Sequence, residues 1–158
     1  MTANYNASVR AIQVNLEVVI HATPDRVWKG LTEEINSWWP KDFYATRSGT
    51  RFVFEARVGG RVFEDGGNGT GGIWYTVGFF EPHHSLHLYG HLAPPWGGPA
   101  TSLVHITLKK SGNEGTLFRL SDSVFGKLDD KSATVIHKGW RELIEEGLKK
   151  FVEGPATS

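Results

Sequence analysis

No cysteine occurs anywhere in the 158 residues of this chain. That absence excludes thiol nucleophiles, zinc–thiolate centres and disulfide staples, and it accords with a reducing, cytoplasmic setting without requiring one. Neither sign of charge is in excess, since 17 lysines and arginines balance 17 aspartates and glutamates. The basic stripe that would follow a phosphate backbone is missing, so nucleic acid is not an expected partner. No apolar run is long enough to span a bilayer. The start, Met1 to Ser8, is polar with no apolar core, so no signal peptide is expected. Also missing are an HExxH helix, an EF-hand loop, a nucleophile elbow and a serine–histidine–aspartate order. The run Gly66 to Gly71 lacks the lysine–serine/threonine pair and following helix of a phosphate loop. The sequence therefore calls for no cofactor and assigns no catalytic residue.

The chain does have 19 glycines and 12% aromatic residues. Turns and large hydrophobes in that proportion suit a sheet-rich domain that holds something. The length fits one domain with a full core and no need of metal or disulfide support. Residues 9–153 are expected to form that domain, with flexible ends over 1–8 and 154–158.

Period-two alternation is clear over Val9 to His21, where Ile12, Val14, Leu16, Val18 and Ile20 share one face of a strand. Thr23-Pro24-Asp25 then opens a helix: a capping hydroxyl, a proline suited to the first turn and an acid that favours the dipole. Val27, Trp28 and Leu31 give its inner face, and a second short helix carries Ile35, Trp38 and Trp39 up to Pro40. Strands are expected over Arg51 to Val58, Arg61 to Glu64, Ile73 to Glu81, Leu86 to Leu92, Ser102 to Lys110 and Thr116 to Val124. Gly59-Gly60 reads as a two-residue hairpin turn, Asp65 to Gly72 as a mobile loop, and Ala93 to Ala100 as irregular. From about Asp130 to Glu153, Ile136, Trp140, Leu143, Ile144, Leu148 and Phe151 form one apolar stripe at helical spacing. Consecutive hairpins followed by one long helix make an antiparallel sheet with helices on one face, an α+β domain.

At this level the chain resembles the helix-grip fold of the START/Bet v 1-like (SRPBCC) superfamily, most closely the Hsp90-ATPase-activator-homologue (AHSA1-like) group. The resemblance is carried by Ala22-Thr23-Pro24-Asp25-Arg26-Val27-Trp28-Lys29-Gly30-Leu31, Trp38-Trp39-Pro40, Arg57-Val58-Gly59-Gly60-Arg61-Val62 and Gly72-Ile73-Trp74 running to Glu81-Pro82. It continues through Gly115-Thr116-Leu117-Phe118-Arg119-Leu120 and the tail from Gly139-Trp140 to Leu148, covering roughly residues 10 to 152. It implies a curved sheet of about six or seven strands around the C-terminal helix, with a cavity between them for a small hydrophobic molecule. Some members only bind there and others catalyse. The co-chaperone that gives the group its name carries an additional N-terminal domain, so Hsp90 activation does not carry over. Where relatives often have Thr-His before the Gly-Phe step, this chain has Ser121-Asp122-Ser123-Val124-Phe125-Gly126.

The expected cavity-lining residues are Trp38, Trp39, Phe54, Trp74, Leu88, Ile106, Phe118, Leu120, Asp122, Ile136 and Trp140. Trp38 and Trp39 offer rigid aromatic wall, with packing on the sheet as the plainer role. Phe118, Leu120 and Asp122 share one strand face. Asp122 is either a carboxylate in an apolar site, its pKa raised by desolvation, or a cap near the strand end. Its candidate partners are His105, Arg119, His137 and Arg141, of which Arg119 and His105 should face away if the alternation holds. Gly139 and Gly147, inside the last helix, either admit close packing, leave room for a ligand, or are tolerated at about 1 kcal/mol each.

His87, Tyr89 and His91 share a face opposite Leu86, Leu88 and Leu92. His87 and His91 stand about 13 Å apart on an extended strand, too far to share an ion, so no metal site is assigned. Trp74, Tyr75, Phe79 and Phe80 give one strand two apolar faces, consistent with a homodimer contact. The leading functional reading is binding of a small hydrophobic molecule. The alternatives are a cavity-based acid–base enzyme using Asp122, or a chaperone-type or stress-related interaction module.

Overall fold

Alternation in the first segment becomes strand β1, Arg10–Ile20, which buries Val14, Leu16, Val18 and Ile20 on one face. A computed structural model describes residues 8–47 and 51–155. The outermost residues of the expected flexible ends, 1–7 and 156–158, lie outside the described residues. After β1, the Thr23 hydroxyl accepts the Arg26 backbone N–H at 3.3 Å and caps helix α1, Pro24–Leu31. A short helix α2, Ile35–Trp38, and a single turn Lys41–Phe43 follow.

Six further strands then run β2 Arg51–Phe54, β3 Arg61–Gly67, β4 Thr70–Glu81, β5 Ser85–Leu92, β6 Ala100–Ser111 and β7 Gly115–Gly126. They form one antiparallel seven-stranded sheet in the order β1-β7-β6-β5-β4-β3-β2. This is the expected helix-grip α+β architecture. Among the described residues no helix is long and apolar enough to cross a membrane.

Two connections differ from expectation. Residues 55–60 are a loop, because β2 ends at Phe54. Gly59 donates to Val77 O and Val77 donates to Gly60 O, each at 2.8 Å, so the loop runs beside β4. Conversely, Asp65 to Gly72 is a tight hairpin, with β3 and β4 paired up to Gly67 and Thr70. Its glycines serve backbone geometry: Gly67, Asn68 and Gly69 have φ of 80°, 52° and 78°, a region open to glycine and tolerated by asparagine.

The tail forms helix α3, 22 residues long. It is α-helical over Ser132–Arg141, π-helical over Glu142–Lys149 and α-helical again over Lys150–Glu153. Trp140, Leu143, Ile144, Leu148 and Val152 are buried, with Leu148 and Val152 close to Gly30 of α1. Ile136 and Phe151 are half-buried, and the Arg26 guanidinium lies 5.2 Å from the Phe151 ring centre. The wider i→i+5 turn alters the angular spacing of the stripe, so Val152 takes the buried place that regular spacing assigns to Phe151.

The two helix glycines have different surroundings. A Cβ at Gly147 would stand 2.9 Å from Trp38 Cε3, and that ring is pinned by its Nε1 donating to Gly30 O at 2.7 Å. A Cβ at Gly139 would meet nothing nearer than Phe43 Cε1 at 3.9 Å. Gly139→Ala should therefore stabilise the protein by about 0.5–1 kcal/mol through helix propensity. Gly147→Ala should destabilise it by about 1 kcal/mol, because overpacking outweighs the same gain. Urea denaturation of the two variants checks the opposite signs.

Candidate functional site

Strand β4 carries two irregularities that decide which side chains reach the inner face. Its pairing with β3 steps from Val62–Tyr75 to Phe63–Ile73, leaving Trp74 as an extra residue. Its pairing with β5 steps from Val77–Leu88 to Phe79–His87, leaving Gly78 extra. Bulges of this kind re-aim side chains. Trp74, Tyr75 and Phe80 all pack against the core as a result, and only Phe79 and Ile73 of the strand's large apolar residues remain exposed. The apparent second apolar face of this strand is thus mostly turned inward.

Tyr75 pairs with Gly90 of β5, and Gly90 pairs with Ser102 of β6. A Cβ at Gly90 would lie 2.7 Å from Tyr75 Cδ1, so glycine makes room for the ring to lie across β5. The Tyr75 phenol lies close enough to Ser102 for the two to interact. Ser102 Oγ also donates to Asp122 Oδ1 at 2.6 Å. Asp122, on β7 opposite Val104 and Val14, is only 2% exposed. From α3, Trp140 Nε1 donates to Asp122 Oδ2 at 2.9 Å, and the Trp140 ring stacks on Tyr75 with centres 6.2 Å apart. The result is one buried carboxylate held by two neutral donors from opposite layers.

Burial pushes the Asp122 carboxyl above its ordinary 3.8, against the opposing effect of the Ser102 and Trp140 hydrogen bonds. Burial, with the Asp122 charge adding to it, likewise pushes the Tyr75 phenol far up. The strand-end capping role does not apply, since β7 continues to Gly126. None of the four candidate partners hydrogen-bonds to Asp122, and His105 and Arg119 face away as the strand alternation predicts. His105 contacts Ser85 on the outer face, Arg119 pairs with Glu17 and Arg141 with Glu145. His137, on α3, is not among its hydrogen-bond partners.

These groups border a pocket of about 120 Å³ between the sheet and the first half of α3. Its walls are Trp39, Phe43, Trp74, Tyr75, Leu92, Ser102, Asp122, Ile136, Gly139, Trp140 and Leu143. Of the residues expected to line a cavity, Trp39, Trp74, Asp122, Ile136 and Trp140 come together here. Phe54, Leu88, Ile106, Phe118 and Leu120 are buried in solid core instead, because Ile144, Leu148 and their neighbours fill the rest of the helix–sheet gap. Trp38 packs on Gly147 and Gly30 rather than on the pocket.

Trp39 stacks on Phe52 at 3.8 Å between ring centres and meets Trp74 edge-on. Among the described residues, its Nε1 is a buried donor with no hydrogen-bond partner. Of the side-chain walls, Phe43, Tyr75, Leu92, Ser102 and Leu143 were not among the residues expected to line a cavity. Leu143 alone carried a signal, one helical turn from Trp140 and two from Ile136.

A second buried carboxylate supports the pocket from outside. Glu64 of β3 is 0% exposed. It accepts from Ala45 N at 2.6 Å, Thr46 N at 2.9 Å, Thr46 Oγ1 at 2.8 Å and Trp74 Nε1 at 2.8 Å. Burial alone would raise its pKa, but the four donors outweigh it and the net displacement is downward. Glu64 thereby ties the 41–47 segment, which carries Phe43, to the bulged strand that carries Trp74.

Against known proteins, the Activator of Hsp90 ATPase homolog 1-like protein family matches residues 21–153. The chain belongs to that family. A search of curated proteins finds no match. Among solved structures, protein MLL2253 from Mesorhizobium loti is similar, with a TM-score of 0.68 and 22% identity over 90% of this chain and 97% of its own. DynU16, from the dynemicin biosynthetic locus, gives a TM-score of 0.64 and 21% identity, covering 89% of this chain and 47% of its own. Norcoclaurine synthase from Thalictrum flavum, solved with dopamine and hydroxybenzaldehyde, gives 0.62 and 12% over 99% of this chain and 96% of its own. At these identities the likeness is one of fold. Within this Hsp90-ATPase-activator-homologue fold, the polar centre contributed by this chain is the Asp122–Ser102–Tyr75 set.

Two outcomes follow for the carboxylates. Between its ordinary 3.8 and its raised folded value, Asp122 keeps a proton that the unfolded chain releases. Its contribution to stability is thus full below that range and lost as pH rises through the folded value. Urea denaturation across pH should show the Asp122→Asn variant gaining on wild type through this window and then levelling off. The gain is about 1.4 kcal/mol for each tenfold difference in proton affinity. Glu64 has the opposite sign, present above its ordinary 4.5 and lost as pH falls through its lower folded value. At neutral pH, Glu64→Ala leaves two backbone N–H groups and the Trp74 indole without their acceptor. It should cost about 3 kcal/mol in the same measurement.

Proposed function

We propose that this protein is a cytoplasmic binder of a small, largely hydrophobic molecule, held in the pocket between β4–β7 and α3 with one polar group directed at Asp122. The observation that carries this reading is the composition of the walls. Apolar and aromatic side chains enclose a few converging polar groups, the usual make-up of a small-molecule site. An apolar cavity of about 150 Å³ holds benzene, so the 120 Å³ here suits a single small ring or a short branched chain. The unpartnered Trp39 Nε1 offers a donor to a ligand oxygen. Norcoclaurine synthase, solved with dopamine and hydroxybenzaldehyde, and DynU16, from a biosynthetic locus, lend the reading support at the level of the fold.

A second reading, acid–base catalysis in the same pocket, is favoured by one observation: Ser102, bonded to Asp122, lies beside a second titratable side chain, Tyr75. Binding is the conclusion, because it needs only the walls.

Gly139 gives a direct test, since a side chain there projects into the pocket with free space around it. Native mass spectrometry of protein purified from its own host should show a small-molecule adduct on the wild type and none on Gly139→Leu at equal thermal stability. Wild type free of adducts and indifferent to a panel of small hydrophobic compounds would sink the reading.

A further inference from the structure

Asp122 is the only charged side chain among the pocket's walls. Among the described residues it makes no ion pair, and its two partners, Ser102 and the Trp140 indole, are neutral donors. A buried carboxylate needs either a cation or a full set of hydrogen-bond donors to replace the water it loses. Glu64 has four donors, whereas Asp122 has two. Here β1, β6 and α3 all pack around Asp122, and none of them supplies a cation. The titratable group that feels its charge, Tyr75 of β4, is neutral and lies beside Ser102.

The remaining surroundings point the same way. Trp39, Phe43, Trp74, Tyr75 and Trp140 make five of the eleven walls aromatic, and aromatic rings attract organic cations, most strongly where water is excluded. Each oxygen of Asp122 accepts one hydrogen bond from the protein and has a further lone pair to offer. We infer that the pocket is selective for an organic cation: a protonated amine on a compact apolar body, its ammonium group facing Asp122. The inference rests on the binding reading above and narrows it from any small hydrophobic molecule to one chemical class. It also gives the missing cationic partner of Asp122 a source, the ligand itself. Binding of such a cation would favour the ionised carboxylate, so it would be coupled to release of a proton wherever Asp122 is protonated in the free protein.

The test uses a matched pair of probes, cyclopentylamine and cyclopentanol, which have the same ring and differ in the charged group. Their affinities are read from the shift of the Trp140 and Trp39 indole N–H resonances of the full chain. The expected result is at least tenfold tighter binding of the amine at neutral pH. That preference should disappear in Asp122→Asn and persist in Ser102→Ala. Should Asp122→Asn fail to fold, the wild-type pH profile carries the same test. Amine affinity should rise as pH climbs through the titration of Asp122, while alcohol affinity stays flat. Equal binding of the two probes, or tighter binding of the alcohol, would overturn the cation inference and leave the binding reading standing. No binding of either probe, nor of a neutral hydrophobic panel, would overturn both.

Discussion

The constraint on which the rest of this structure turns is a charged group placed where water cannot follow. Asp122 sits on an inner strand face between Leu120 and Val124, positions filled by hydrocarbon on either side. Its two hydrogen bonds come from different layers, Ser102 in the sheet and Trp140 in the helix. Hydrogen bonds to charged groups contribute about 1.5–3 kcal/mol each, and losing one here would strand a buried carboxylate. The Asp122–Trp140 bond ties the first half of α3 to the sheet, as Lys149 donating to Val19 O and Glu153 accepting from His21 N tie its end. It also holds the Trp140 ring in a place that leaves space beside it.

That space exists because the sheet is irregular where the helix crosses it. The bulge at Trp74 turns two consecutive large rings inward, Gly90 lets one of them lie flat, and Glu64 holds the other by its indole. The same glutamate anchors the 41–47 segment that brings Phe43 to the far wall. Two buried carboxylates thus divide the task. Glu64, surrounded by four donors and stably ionised, braces the walls. Asp122, with two donors and a raised pKa, is the one left under-compensated, and it is the one that faces the pocket.

Much of the architecture was legible in the sequence because the relevant signals are local. Alternation marked β1, β6 and β7, Thr23-Pro24 marked the start of α1, and the stripe through Trp140 and Leu148 marked the face of α3. Signals failed where tertiary structure overrides the period. In β4, bulges at Trp74 and Gly78 break the alternation, so two inward rings read as two apolar faces. In the 65–72 segment, glycines that suggest looseness instead supply the positive φ angles of a tight hairpin. At the site, spacing from Phe118 and Leu120 put Asp122 on the inner face, yet its partners depend on register and on the helix contact. Ser102 lies diagonally across β6 and gave no sign in its own strand. Phe43 sits on a segment tied down by Glu64, a link between residues some twenty positions apart that no periodicity encodes.

The account stands on Asp122 being a desolvated carboxylate in contact with the helix, and the Trp140 indole N–H reports on it directly. Its nitrogen is 2.9 Å from Asp122 Oδ2, so its NMR resonance will follow the charge on that oxygen. Following that resonance across acid pH in the free protein should give one titration step, with its midpoint above the ordinary 3.8 of an aspartate. A midpoint at or below that value, or a resonance indifferent to pH throughout, would contradict the account.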